Sequence, residues 1–310
     1  MVRKITVAKE LNAYTVIPLI DSFNEFINTK QIIEAELDFT GTTFVSPGGL
    51  APLLAYLREN KDTKHEILLN SANSPIDSYI CRMGFYEILG LESNYKCNKY
   101  SSKGRFQEPY YFSKATNPEE VTLKASNIIK TFSKNRNLQN YNEAIGWCVS
   151  EVIDNAQNHS DSDVNVAMAQ KYPYVNITEF CVADRGIGIK NSMYEKDAKV
   201  ALEKCVTKAK GKKSEGCGNG LFYTSELIKR DTSGKSSMTI WSEDYMLILH
   251  SNSEPVVKKT EAFWQGVNIS ISMYNGITEN LAKLMKNIDN YDYSFSYENM
   301  PDYYESMFEN

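Results

Sequence analysis

The most constraining feature of the sequence is a series of three polar segments, two of them rich in glycine, that follow one another within about 70 residues. The first is a helix predicted over Asn142–Ser160, because apolar side chains recur on one face at the α-helical period. Glu151 and Asn155 lie on a stripe beside that face, and as residues i and i+4 they are neighbours on the helix surface. The apolar residues of the face are Ile145, Val149, Val152, Ile153 and Ala156.

Glu151 and Asn155 have the chemistry that a site for a magnesium nucleotide needs. An amide oxygen is a suitable ligand for Mg²⁺, which prefers oxygen donors. A carboxylate can accept a proton from an attacking water or hydroxyl. Taken alone, such a pair is more typical of a solvated helix face, so its meaning depends on the two segments that follow.

The second segment is a short apolar strand, Phe180–Ala183, that leads into Asp184 and a turn with two glycines. Gly186 and Gly188 have no Cβ and therefore allow the backbone to approach a flat ligand. The carboxylate of Asp184 offers an acceptor for an exocyclic amine. On its own, this segment is also typical of an ordinary tight turn.

In the third segment Gly216, Gly218 and Gly220 alternate with other residues just before a predicted helix, Leu221–Arg230. The backbone amides of a glycine-rich turn at a helix N-terminus are suited to phosphate binding. The spacing differs from the dinucleotide-binding G-x-G-x-x-G pattern, and no Gly-Lys-Ser/Thr sequence follows as in a Walker A loop. The sequence therefore indicates a phosphate-binding turn of another type.

In order and spacing, the three segments resemble the N, G1 and G2 boxes of the GHKL superfamily, the histidine-kinase-like and gyrase-like ATPases. The resemblance implies a Bergerat α/β sandwich over residues 118–276, with a mixed sheet covered by helices on one face and with ATP and Mg²⁺ as cofactors. It implies a general base at Glu151, a Mg²⁺ ligand at Asn155 and the partner of the adenine amine at Asp184. The other implied nucleotide-binding residues are His159, Gly186, Gly188, Gly216, Gly218 and Gly220.

Further features of the same region fit this resemblance. A lid-like segment, Lys190–Glu215, separates the second and third boxes, and its lysines include Lys208; a solvated charge run is the simpler interpretation of them. Gly266 resembles the family's last glycine, with Val267 where a threonine is common. Additional strands are predicted at Val164–Ala169, Val175–Cys181, Ser237–Trp241, Met246–His250 and Gly266–Met273.

Residues 1–95 predict a separate α/β unit, because short strands alternate with helical segments. Leu37–Leu50, followed by an apolar helix, resembles the STAS domain of anti-sigma-factor antagonists. In that family a serine of the corresponding turn is phosphorylated, whereas here Gly48 stands at the acceptor position, so phosphorylation there is not expected. Ser46 is the nearest hydroxyl. The glycines of this turn are interpreted as meeting a need for special backbone angles.

Composition limits the other possibilities. A net charge of -5 argues against a nucleic-acid-binding protein, and no apolar run is long enough to span a bilayer. The N-terminus has no signal-peptide pattern, so we expect a cytoplasmic protein. The 6 cysteines include no C-x-x-C pair, which indicates reduced thiols rather than a metal site. Residues 96–117 are interpreted as a linker, and residues 277–310 as an acidic, tyrosine-rich tail that helps bind a protein partner or a second copy of the chain.

Three functions are compatible with these features. The first is a regulatory ATP hydrolase that acts as an ATP-driven switch on a protein partner. The second is a protein serine/threonine kinase of the anti-sigma-factor type that acts on a STAS protein. The third is a nucleotide-sensing module without turnover. Glu151 disfavours the third, because a sensor has no need of a general base. A sensor histidine kinase is disfavoured because the predicted helix Pro118–Asn135, ahead of the first box, contains no histidine.

Overall fold

The computed structural model describes residues 2–28, 34–60, 66–71, 76–90, 104–132, 139–208, 219–275 and 283–284. Helices and strands alternate along the described chain, and the strands form several sheets. The prediction of a mixed α/β fold class is therefore confirmed. Gly216, Gly218 and the tail from residue 285 lie outside the described residues.

The N-terminal unit, residues 2–90, consists of parallel strands and helices. Its elements are β1 (Val2–Thr6), β2 (Glu10–Leu11), α1 (Val16–Asn28), β3 (Glu34–Asp38), β4 (Phe44–Val45), α2 (Pro47–Glu59), β5 (Glu66–Asn70), α3 (Asp77–Arg82) and α4 (Phe85–Ile88). Strands β1, β3 and β5 form a parallel sheet in the order β1-β3-β5, and β2 pairs with β4. After Asn12 the chain turns into α1, because Oδ1 of Asn12 accepts hydrogen bonds from the backbone N–H groups of Tyr14 and Thr15.

The C-terminal unit, residues 104–284, contains the longer strands. Its elements are β6 (Phe106–Phe112), α5 (Pro118–Phe132), α6 (Gln139–His159), β7 (Asn165–Tyr172), β8 (Ile177–Asp184), α7 (Gly188–Ser192), α8 (Ala198–Cys205), α9 (Gly220–Lys229), β9 (Ser237–His250) and β10 (Val256–Tyr274). The strands form a 5-stranded sheet in the order β6-β7-β8-β10-β9. All four pairings are antiparallel, unlike the mixed sheet that was expected, because β7–β8 and β9–β10 are hairpins whose inner strands also pair antiparallel.

Two segments of the C-terminal unit differ from their sequence-based interpretation. Phe106–Phe112, within the segment interpreted as a linker, is the edge strand β6 and pairs with β7. Ser237–His250, predicted as two strands, is one strand interrupted at Glu243, whose φ of 54° belongs to the left-handed region. A register shift beside this residue marks a bulge, which bends a strand without ending it.

The 5-stranded sheet is covered by helices on both faces, whereas the resemblance implied one. On β8, Phe180 and Val182 pack into one core with helices α5, α6, α8 and α9, on the side we call the front face. Cys181 and Ala183 alternate with them and pack into a second core with α1 and α2, on the back face. The N-terminal unit therefore supplies the second helical layer, and the buried tryptophans Trp241 and Trp264 belong to that layer's core.

The first turn of α2 explains how the helix comes so close to the sheet. A Cβ on Gly48 would lie 2.6 Å from Oγ of Ser270 and 2.8 Å from Oε1 of Glu179. Gly48 is not among the glycines with a positive φ, so the absence of a side chain matters here for close approach and not for special backbone angles. Because this approach is made to a distant strand, the local sequence gave no sign of it.

Candidate functional site

A cavity of about 520 Å³ lies on the front face of the sheet, between α6, the α7–α8 region, the N-terminus of α9 and the ends of β8 and β10. This volume is within the range of sites for small ligands and cofactors. Much of its wall is apolar, with Val152, Ala156, Val182, Ile189, Met193, Leu221, Val267 and Ile269. Five of the predicted site residues line it: Asn155, His159, Asp184, Gly188 and Gly220.

Asp184 is the most buried polar group of the cavity wall, with 4% of its surface exposed. It ends strand β8, and its Oδ1 accepts hydrogen bonds from the backbone N–H groups of Gly186 at 3.0 Å and Val267 at 3.1 Å. Its Oδ2 has no hydrogen-bond partner within the described part of the chain. The side chain is thus held in one orientation by two backbone donors while one oxygen remains available as an acceptor.

A bulge in β10 brings Val267 to this carboxylate. Gly266 has a φ of 104°, and a Cβ on it would lie 2.6 Å from Oδ1 of Asp184. Its carbonyl oxygen accepts a hydrogen bond of 2.7 Å from Oγ of Ser242. That hydroxyl oxygen in turn accepts one from the backbone N–H of Ile189 in α7. A glycine is therefore required at this point, and the bulge connects both β9 and α7 to the floor of the cavity.

Gly186 and Gly188 form the turn that follows Asp184. Gly188 lines the cavity with a φ of 78°, and Gly186 lies behind it, where a Cβ would overlap the backbone carbonyl of Ser160 at the end of α6. The backbone N–H of Ile187 donates a hydrogen bond of 2.8 Å to the same carbonyl. Gly186 thus shapes the site without lining it.

Helix α6 contributes Asn155 and His159 to the cavity wall, one turn apart. Asn155 is half-buried, and its side chain has no hydrogen-bond partner among the residues that the structure describes. Glu151, one turn earlier, is not among the lining residues of the cavity itself. Its carboxylate lies against the first residue of α9, so close that a Cβ on Gly220 would overlap it. The general-base candidate therefore lies at the helix terminus where phosphate binding was predicted.

The two candidate carboxylates have unusual protonation equilibria. Burial raises the pKa of Asp184 from 3.8 to about 7, although the hydrogen bonds from Gly186 and Val267 act in the opposite direction. Burial, with a smaller contribution from the charge of Asp154, raises the pKa of Glu151 from 4.5 to about 7. Two carboxyls with pKa values raised to near neutrality in one region are typical of a functional site.

Several lining residues were not predicted as site residues. Helix α8, inside the segment interpreted as a lid, contributes Lys204 and Cys205, and Thr207 and Lys208 follow it. The amino group of Lys204 lies 2.5 Å from Oε1 of Glu195, and burial raises the pKa of the Cys205 thiol to about 12, so this thiol is neutral. The signal for α8 was present in the sequence, because Asp197 accepts a hydrogen bond from the N–H of Val200 as an N-cap residue does.

Arg185, the residue after Asp184, lies on the opposite side of the sheet from the cavity. Only 10% of its side chain is exposed, and its guanidinium contacts Trp264 and the N-terminal unit.

Comparison with known proteins gives no family for the chain: no protein-family model matches it, and no curated protein matches it significantly. Among the described residues no helix is long and apolar enough to cross a membrane. In the same part of the chain no cluster of three or more His, Cys, Asp or Glu side chains has the arrangement of a metal site.

Proposed function

We propose that this protein binds Mg-ATP in the front-face cavity and acts as a regulatory ATPase of the GHKL type. The observation that carries the proposal is Asp184, a buried carboxylate with one oxygen fixed by two backbone donors and the other available at the floor of an apolar cavity. Such a group accepts a hydrogen bond from the exocyclic amine of adenine, and the apolar walls suit the faces of the base.

The polar end of the site fits a phosphate chain. The first N–H groups of α9, which begins at Gly220, favour anions because they have no partner within the helix. Asn155 is the candidate Mg²⁺ ligand, and a bound Mg²⁺ would neutralise developing charge on the phosphates. Glu151, beside Gly220, is the candidate general base that removes a proton from the attacking water.

The contact between the two units favours a switch over a kinase that phosphorylates its own N-terminal unit. Oγ of Ser46 donates a hydrogen bond of 2.9 Å to Oε1 of Glu179, and Ser46 is 2% exposed. A hydroxyl buried in this way is not available for phosphotransfer within the chain. Phosphorylation of a separate STAS protein remains the second candidate function, and a protein partner is expected in either case.

The test uses the whole 310-residue chain. Calorimetry with ATP and Mg²⁺ is expected to give 1:1 binding, with GTP much weaker because its O6 is an acceptor where adenine presents a donor. Equal binding of ATP and GTP would contradict the role of Asp184, and no ATP binding by folded protein would overturn the proposal. Incubation with γ-labelled ATP, alone and with cell extract, then distinguishes the activities, because free phosphate indicates hydrolysis and labelled protein indicates a kinase.

A further inference from the structure

The strand that ends in Asp184 is held along its back by one helix of the N-terminal unit. At one end, Oε1 of Glu179 accepts hydrogen bonds from the N–H of Gly48 at 2.8 Å and from Oγ of Ser46 at 2.9 Å. At the other end, Oε2 of Glu59 accepts a hydrogen bond of 2.6 Å from Nε of Arg185. Helix α2 therefore contacts β8 at both of its termini.

The dimensions of the two elements explain why both contacts form at once. From residue 46 to residue 59 an α-helix rises about 20 Å, at ~1.5 Å per residue. From residue 179 to residue 185 a strand also extends about 20 Å, at ~3.3 Å per residue. Helix α2 packs against β8 between these points, so the helix lies along the strand and matches its length.

Of the two contacts between α2 and β8, the one made by Arg185 lies next to the proposed nucleotide site. It directly follows Asp184, and its guanidinium lies 4.5 Å from the ring centre of Trp264 and 5.2 Å from that of Tyr56 in α2. Its backbone N–H donates to the carbonyl of Val164. Side chain and backbone are thus both fixed, which leaves the peptide between Asp184 and Gly186 little freedom to move.

From this arrangement we infer that Arg185 is a positioning residue through which the N-terminal unit controls nucleotide binding. When α2 is docked, the ion pair between Glu59 and Arg185 holds Asp184 in the orientation that accepts the adenine amine. When the pair is broken, a buried guanidinium loses its partner and the turn after Asp184 is released. This inference rests on the proposed ATP site, and it identifies the N-terminal unit as that site's regulator.

Thermodynamic linkage gives the inference a second consequence. If docking of α2 strengthens nucleotide binding, nucleotide binding must strengthen docking of α2 by the same factor. A partner protein that binds the N-terminal unit and displaces α2 would therefore lower ATP affinity from a distance. A residue with a purely structural role would lower stability without producing this reciprocity.

The experiment compares Glu59→Gln and Arg185→Gln with a matched control, Glu25→Gln, which breaks an exposed ion pair to Arg3 in the same unit. Calorimetry is expected to show ATP affinity reduced about tenfold in each site variant. The double variant should show no further loss of ATP affinity, because both substitutions remove the same interaction. The control should bind ATP as the wild type does. Arg185→Lys keeps the charge, so it should recover part of the affinity and provides a second variant if Arg185→Gln fails to fold.

Hydrogen exchange supplies a readout that does not depend on ATP binding. In the protein without nucleotide, amides of residues 180–189 should exchange faster in Glu59→Gln than in the wild type and in the control. In the wild type, ATP should increase protection in residues 47–59, and this effect should be lost in Glu59→Gln. Unchanged affinity and unchanged exchange in Glu59→Gln would overturn the inference. If the wild type binds no ATP, the proposed function fails, and exchange in residues 180–189 still decides whether Glu59 holds this segment.

Discussion

Replacing Asp184 with asparagine should stabilise the protein without nucleotide at alkaline pH while it abolishes ATP binding. The asparagine Oδ1 can keep the hydrogen bonds from the N–H groups of Gly186 and Val267, so the local backbone is retained. Its side-chain amide NH2 then replaces Oδ2 at the cavity floor. This group is a hydrogen-bond donor, and it cannot pair with the adenine amine, which is also a donor. The buried charge, however, is removed.

The magnitude follows from the pKa. Burial raises the pKa of Asp184 from 3.8 to about 7, so the folded protein holds this proton more tightly than the unfolded chain does. The carboxyl therefore lowers the free energy of unfolding progressively as the pH rises from the unfolded value to the folded one. At ~1.4 kcal/mol per pH unit, the difference between the two pKa values corresponds to about 4 kcal/mol, and we expect the variant to gain about 2–4 kcal/mol at pH ~8.

Urea denaturation at pH ~5 and pH ~8 provides the assay. Asp184→Asn should be more stable than the wild type by about 1–2 kcal/mol at the lower pH and by about 2–4 kcal/mol at the higher one, because pH ~5 already lies above the unfolded pKa of 3.8. Asp161→Asn is the control, because Asp161 is exposed and pairs with the exposed Lys114. A stability difference that is independent of pH, or an asparagine variant that is less stable at pH ~8, would refute the reasoning about the buried carboxylate.

Three further predictions concern the site and its scaffold. Burial raises the pKa of Glu151 to about 7, and a general base must be ionised to act, so ATP turnover should increase about tenfold from pH ~6 to pH ~8. Glu151→Gln should reduce turnover about 10²–10⁴-fold, with little change in the ATP affinity measured by calorimetry. Gly266→Ala, at a φ of 104°, should lower the urea midpoint severely, whereas Gly41→Ala, with nothing within 4 Å, should leave it almost unchanged. Ser46 should carry no phosphate by mass spectrometry after incubation with ATP, because it is buried against Glu179; a phosphorylated Ser46 would revive a kinase that acts within its own chain.

Much of the local structure followed from the sequence alone. The helical period in α6, with Glu151 and Asn155 one turn apart, needs only neighbouring residues to be recognised. The same holds for the strand before Asp184 and for the glycine turn after it. These elements are specified by side-chain periodicity and by turn residues, which act over a few positions of the chain.

The covering of both faces of the 5-stranded sheet was decided by tertiary structure. Within β8, residues 180–183 form a continuous apolar run, which fits a buried strand but does not say which elements cover it. The partners of Glu179 and Arg185 in α2, Gly48 and Glu59, lie more than 100 residues earlier in the chain, so no local pattern indicates that one helix holds both. The bulge that brings Val267 to Asp184 is likewise set by the pairing of β10 with its neighbours. Sequence periodicity indicates which side chains are buried. Which helix or strand covers them depends on contacts between segments that are distant in sequence, and such contacts form only when the chain folds.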